Sequence, residues 1–495
     1  MKVSLKLLTL CILTVCLASL ALVFVSAESY EITPGSDRVI FLADLPADYS
    51  GAGTGNSPED PFMPVSDPEG FDPTATNPKY HLTTGLYQAV EMLQKTGGTI
   101  VICGPVVLGE KQSTGNSVVM RDTFTPKFEK PIKFTSVYNG VDYRETNDAH
   151  IFITDGAGIG VNGESIWENL DIITGSARTD RYICFNNYKT VVGEGMRCFP
   201  EDEAFNGVPQ YYVSLVAGHR YDKLIGPAET HLIVRSGTYN KIVGGCWGGV
   251  TVVWNGTEAD QEKFDKWKYS DVNSFITVEG DTHVLGAICG TTNQLSAFGG
   301  NVYIEINGGV FEGDIYGGSS VSFINDDAQV NIKVTGGDFT NLLSIAPQDM
   351  NAKGYAPGVA ILDLSAFEFS DENWKSLTKL YEAISDFDEK YVILPSWWTE
   401  KGPYVEETQA PETEAPETEA PDTESVDVTD APESVDTPET KSGEVPVPQN
   451  NDGSNVGLIV GIAAGAVAVC GIIAGVIISK KKGGKKSGES DGKQS

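Results

Sequence analysis

The sequence predicts a mostly β fold, a parallel β-helix with a capping helix at each end, followed by a disordered stalk and one transmembrane helix. Three observations predict it. A glycine corner recurs at a nearly fixed interval, Gly280 to Gly309 being 29 residues and Gly309 to Gly337 being 28. Between corners, apolar and polar residues alternate with the period of a strand, and clear helical periodicity occurs only near the two ends of that series. Two long apolar segments at the extremes of the chain are too apolar for a soluble core.

The ends set the compartment. Residues 1–27 read as a secretory signal, with Lys2 and Lys6, an apolar run from Leu7 to Val25, and Val25-Ser26-Ala27 as a cleavage site. An uncleaved anchor is the alternative, since the run is long. Residues 456–478 are 23 uncharged residues, enough to cross a hydrocarbon core of about 30 Å. Lys480, Lys481, Lys482, Lys485 and Lys486 follow at once, so the expected orientation is single-pass with residues 479–495 in the cytoplasm. Gly457, Gly461 and Gly465 fall every fourth residue, a spacing that would let two membrane helices pair as a homodimer, although glycine is common in such helices anyway.

Residues 402–455 read as a stalk. From 403 to 450 there are 14 acidic residues against the single Lys441, with proline every few positions, and such a segment cannot form a core. Much of the formal net charge of −33 sits there, which argues against nucleic acid as a partner. Of eight cysteines, Cys103, Cys184, Cys198, Cys246 and Cys289 remain once those in the apolar ends are set aside. Five is odd, and all lie among apolar strand residues, so buried free thiols are expected. No C-x-x-C occurs and the five histidines are scattered, so no cofactor is indicated.

The folded part is assigned to residues 81–401, preceded by an extended region at 28–80. Its first helix is "TGLYQAVEMLQK", with Leu86, Ala89, Val90 and Leu93 on one face; its last is "SDENWKSLTKLYEAI", with Trp374, Leu377, Tyr381 and Ile384 on one face and Ser370 or Asp371 as the cap. Between them "LIVRSGTYNKIVGG", "FITVEGDTHVLG", "VYIEINGGVFEG" and "VNIKVTGGDFTN" are one unit repeated: a strand, a glycine corner, then Tyr239, Phe311 or Phe339 opening the next strand. One unit cannot bury its own apolar face, so successive units must stack in parallel. A β-sandwich would also give short alternating strands but does not predict the repeat.

"GTGNSPEDPF" at 53–62, "LQKTGGTIVICGPV", "KPIKFTSVYNGVDY" and "IWENLDI" resemble the opening coils of pectin-lyase-like right-handed parallel β-helix proteins displayed on Gram-positive bacterial surfaces. The resemblance covers about residues 50–395 and implies a right-handed coil whose first helix plugs its N-terminal end. It is specific for fold and not for function, because that coil carries lyases, hydrolases, adhesins and spikes. The polygalacturonase-type motifs are not matched. Asp326-Asp327 and Gly218-His219-Arg220 occur in the wrong order, the Asn-Thr-Asp and Arg-Ile-Lys elements are missing, and Asp326-Asp327 reads as a polar turn. A lyase would need clustered carboxylates for calcium and an arginine or lysine base; Arg220, Lys223 and Arg235 are the bases on offer, outside any motif. Trp247 and Trp254 could stack on sugar rings or pack within the coils.

The repeat fails in one place. Gly237 to Gly280 is 43 residues, about 15 beyond a coil, and the surplus falls in "WNGTEADQEKFDKWKYSDVN" at 254–273. Trp254, Lys266, Trp267 and Lys268 there are the expected binding residues, because excursions on a rigid scaffold concentrate such residues. The expected function is surface binding or display, with an extracellular glycan or host surface as partner and no metal. The alternatives are a polysaccharide lyase or hydrolase, which would bring in calcium if a lyase, and a structural spacer. A carboxylate-plus-arginine cluster in a groove would favour the lyase, and an exposed aromatic row would favour sugar binding.

Overall fold

The computed structural model describes residues 31–43, 53–62, 85–108 and most of 112–405, with gaps that include 221–225, 249–271 and 349–356. The chain divides into two compact units, 1–408 and 409–495, and everything described belongs to the first. The signal, the membrane span at 456–478, its lysine tail and the stalk beyond residue 405 lie outside the described residues. Among the described residues no helix is long and apolar enough to cross a membrane.

The protein is mostly β. Seventeen strands form one sheet in which every pairing is parallel, and four more form a second parallel sheet, an arrangement consistent with a parallel β-helix. Each strand pairs with its counterpart one repeat away. The longest ladder runs through Val39–Leu42, Gly98–Ile102, Ile132–Thr135, Ser165–Glu168, Thr190–Val192, Glu229–Val243, Asn273–Cys289, Val302–Phe311, Gln329–Asp338, Val359–Asp363 and Val392–Ile393. Eleven rungs at about 4.8 Å span about 48 Å. The first strand precedes residue 81, so the sheet begins inside the stretch read as an extended N-terminal region.

A second ladder joins Thr123–Phe124, Gly158–Gly160, Tyr182–Cys184, Ser214–Val216, the ends of Glu229–Val243 and Asn273–Cys289, Asp314–Tyr316 and Ser344–Ala346. The third is Val106–Leu108, Ile151–Ile153, Asp171–Thr174 and Arg197–Pro200. Register puts like on like: Ile276, Ile304, Ile332 and Leu362 face one another across four rungs and all are buried. Such columns fill the interior because a strand's side chains alternate faces and parallel pairing keeps each column aligned.

The glycine corners do not end the strands. Val302–Phe311 and Asn273–Cys289 pass straight through them, with the register shifting at Val278/His283 and Ile306/Asn307. A bulge absorbs the bend that the sequence presents as a break. Gly280 (φ 62°), Gly309 (φ 102°) and Gly337 (φ 135°) lie in the region that L side chains avoid, and a Cβ at Gly280 would also press into the carbonyl of Arg235. Just past the corners Tyr239, Phe311 and Phe339 are fully buried, and the Phe311 and Phe339 rings stack with centroids 5.1 Å apart.

Both helices are present. Gly85–Leu93 buries Leu86, Ala89, Val90 and Leu93, the face its spacing predicts. Asp371–Glu382 is capped by Ser370, whose side chain accepts from the Asn373 N–H at 3.0 Å. Of the predicted face, Leu377 is buried and Trp374 and Ile384 pack partly buried against the core, while Tyr381 is 41% exposed and the fully buried side turns toward Ser376 and Leu380. The Ser376 hydroxyl fixes that rotation by donating to the Gly337 carbonyl at 2.6 Å and accepting from the Phe339 N–H at 3.1 Å.

Candidate functional site

After each strand of the second ladder the chain returns to the longest one. The first three returns, 125–131, 161–164 and 185–189, are short; from residue 217 onward those at 217–228, 290–301, 317–328 and 347–358 are each 12 residues, whereas the return at 244–272 is 29. Of the five returns from residue 217 onward, four thus have the same length and one carries 17 residues more (29 less 12). The surplus found in the repeat therefore leaves the sheet at one corner, between Val243 and Asn273. Asn273 itself belongs to the strand.

Both stems of the excursion are clamped. On the leading side Trp247 is 5% exposed, its N–H donates to the His219 carbonyl at 2.9 Å, and the Gly248 N–H donates to the Arg220 carbonyl at 3.1 Å. Trp247 stacks on Tyr182 at 5.5 Å, and the Arg220 guanidinium lies 5.1 Å from the same Tyr182 ring. Trp247 and Tyr182 belong to a second apolar cluster, with Cys184, Val216, Val243, Ala287, Cys289, Tyr316 and Ala346, on the outer side of the second ladder. On the trailing side Val272 is 1% exposed, and the Asn273 carboxamide oxygen accepts from the Asn301 N–H at 2.9 Å. The next rung repeats that bond from the Gln329 N–H to Asn301, also at 2.9 Å.

The four residues expected to bind, Trp254, Lys266, Trp267 and Lys268, lie outside the described residues, as do Lys223 and Asp326. Trp247 packs rather than presenting a face to solvent. Arg235 is engaged in an ion pair with Glu279 at 2.7 Å. Asp327 is an exposed turn residue. His219 is buried beneath the excursion's leading stem.

Two features are built from residues that the sequence does not single out. The first is a carboxylate and arginine cluster around the third ladder. Asp171 and Arg197 sit opposite each other in register, with Nε and Nη2 reaching the two carboxylate oxygens at 2.7 and 2.8 Å. Arg197 also reaches Glu145 at 3.1 Å, and Arg144 grips Asp142 at 2.6 Å while donating to the Gly195 carbonyl at 2.7 Å. Arg144's hydrogen bonds hold the Asp142 carboxyl below its usual range, and Asp171's hydrogen bonds push Arg197 up. Both shifts fix the charged forms, the reverse of what proton transfer at neutral pH requires. The signal available in sequence was opposite charge one coil apart, which also pairs Glu305 with Lys333 at 2.9 Å.

The second is an outward aromatic row on the longest ladder. His231, Phe275 and Tyr303 stack with centroids 4.5 and 4.7 Å apart and planes within 7°. Their faces cover one another, so the row presents edges to solvent. The buried thiols behave as expected of core residues: all five are buried, and burial pushes Cys103 and Cys198 up to about 12. Among the described residues no group of three or more His, Cys, Asp or Glu could hold a metal ion. No protein-family model, curated protein or solved structure matches the chain.

Proposed function

We propose that this chain is a membrane-anchored surface protein whose right-handed parallel β-helix holds one recognition loop, the excursion within 244–272, toward an extracellular carbohydrate or host surface. The observation that carries the reading is the contrast between that 29-residue return and its four 12-residue counterparts, together with the clamped stems that give the loop a fixed origin. Rigid presentation lowers the ordering entropy a loop gives up on binding. Trp254, Trp267, Lys266 and Lys268 supply aromatic faces and ammonium donors suited to hydroxyl- or carboxylate-bearing sugars. The anchor rests on the 23 uncharged residues at 456–478 and the lysines after them.

The test is a glycan array probed with the purified full-length chain in detergent, with and without calcium, and with product release monitored. Binding without turnover is the expected result, weakened at least tenfold, about 1.4 kcal/mol, when Lys266, Trp267 and Lys268 become alanine. Release of cleaved glycan would replace this reading with the enzyme. Undiminished binding by the triple variant would move the site off the loop.

A further inference from the structure

The C-terminal end of the sheet is weakly closed by the ladder itself. Its last strand, Val392–Ile393, pairs with only Leu362 and Asp363. The helix Asp371–Glu382 covers that end, and its 12 residues are too few to be stable alone in water. Its persistence therefore depends on what grips it from both sides.

The inner side is gripped by the sheet through Ser376, Leu377 and Leu380. The outer side is gripped by the chain that leaves the fold. Trp398 packs on Tyr381 with centroids 5.2 Å apart, and the Trp374 indole N–H donates to the Gly402 carbonyl at 2.8 Å. Gly402, at φ 63°, turns the chain so that Tyr404 reaches back over the helix. The Tyr404 N–H donates to the Thr378 hydroxyl at 2.8 Å, its ring meets Trp374 edge-on at 5.0 Å, and the Lys375 ammonium lies 5.0 Å from its centroid. The Lys401 ammonium lies 5.2 Å from the Phe369 ring and 5.5 Å from Trp374. The Trp397 indole N–H ties the start of this segment to the Phe367 carbonyl at 2.8 Å.

We propose that residues 397–405 are a strap that locks the end cap, so that the helix Asp371–Glu382 opens as a unit when the strap is released and the rungs beneath it stay closed. The boundary at residue 401 then divides a working element, because Gly402 and Tyr404 belong to the cap rather than to the stalk. A pull or a cut before Tyr404 uncaps the sheet, whereas the same event beyond residue 408 leaves it shut.

The test is hydrogen exchange with peptide-level mass readout on the full-length chain in detergent, a method that reads subglobal opening. Tyr404→Ala removes the ring and its contacts. Thr378→Val keeps the shape of a buried residue but removes the acceptor of the Tyr404 N–H. Both variants are expected to speed exchange across Asp371–Glu382 at least tenfold while Val302–Phe311 exchanges as in the parent. Unchanged exchange of the helix in either variant would overturn the strap. Equal acceleration in the helix and in Val302–Phe311 would also overturn it, by showing that the cap does not open separately.

Discussion

Deleting residues 252–268 removes 17 residues and shortens the long return from 29 to the 12 found in the four other returns from residue 217 onward. The deletion leaves Trp247, Gly248 and Val272 in place, and with them the bonds that hold both stems. Loop-closure entropy scales as (3/2)RT ln n, so going from 29 to 12 residues favours the folded state by about 0.8 kcal/mol. For a domain of this size that raises the melting temperature by no more than about 2 °C. The deletion also removes Trp254, Lys266, Trp267 and Lys268, so ligand binding should fall at least as far as in the triple alanine variant. Differential scanning calorimetry and a binding isotherm on the same preparation measure the two effects. A melting temperature lowered by several degrees would show that the excursion supports the fold. Full binding by the shortened chain would show that recognition lies elsewhere, with the edge-on row of His231, Phe275 and Tyr303 next in line.

The parallel repeat was legible because its signal is local. Gly280, Gly309 and Gly337 announce themselves by spacing, and the columns through Ile304 and Phe311 follow from alternation within a single unit. The helix Gly85–Leu93 and the Ser370 cap were legible for the same reason. What escaped depends on partners far away in the chain. Val39–Leu42 is four residues long and becomes a strand only by pairing with Thr99 to Ile102. The third ladder is made of strands of three or four residues, too short to show a period of two.

The site divides in the same way. The excursion was visible as surplus length against the 28-residue spacing of the coils that follow it, but its exit corner required the strand ends at Val243 and Asn273. The ring row joins residues 44 and 28 apart, and the Asp171 to Arg197 pair joins residues 26 apart. Each is adjacent only because register sets one rung on the next. Once one rung is aligned the rest follow, which makes coil-spaced charge and ring pairs readable in any sequence whose repeat is known.

Three further outcomes are expected. Phe339→Ala should lower unfolding free energy by about 3–5 kcal/mol in denaturant titration, because the ring is fully buried between Phe311 and Phe367. Mass mapping after a thiol-reactive reagent at neutral pH should leave Cys103, Cys184, Cys198, Cys246 and Cys289 unmodified until the chain is unfolded, since burial keeps them as inaccessible thiols. The last concerns acid. The Asp142 carboxyl is depressed in the folded chain, chiefly by Arg144, so its share of the stability is present above the carboxyl's unfolded value near pH 4 and is lost as pH falls through the folded value. Asp142→Asn cannot titrate there. At pH 7 it should unfold at a lower temperature than the parent, and the gap should narrow steadily below about pH 4 as the parent's carboxyl takes up its proton. A gap that stays constant down to about pH 2 would show that the Asp142 and Arg144 contact acts through shape alone and that its charge contributes nothing.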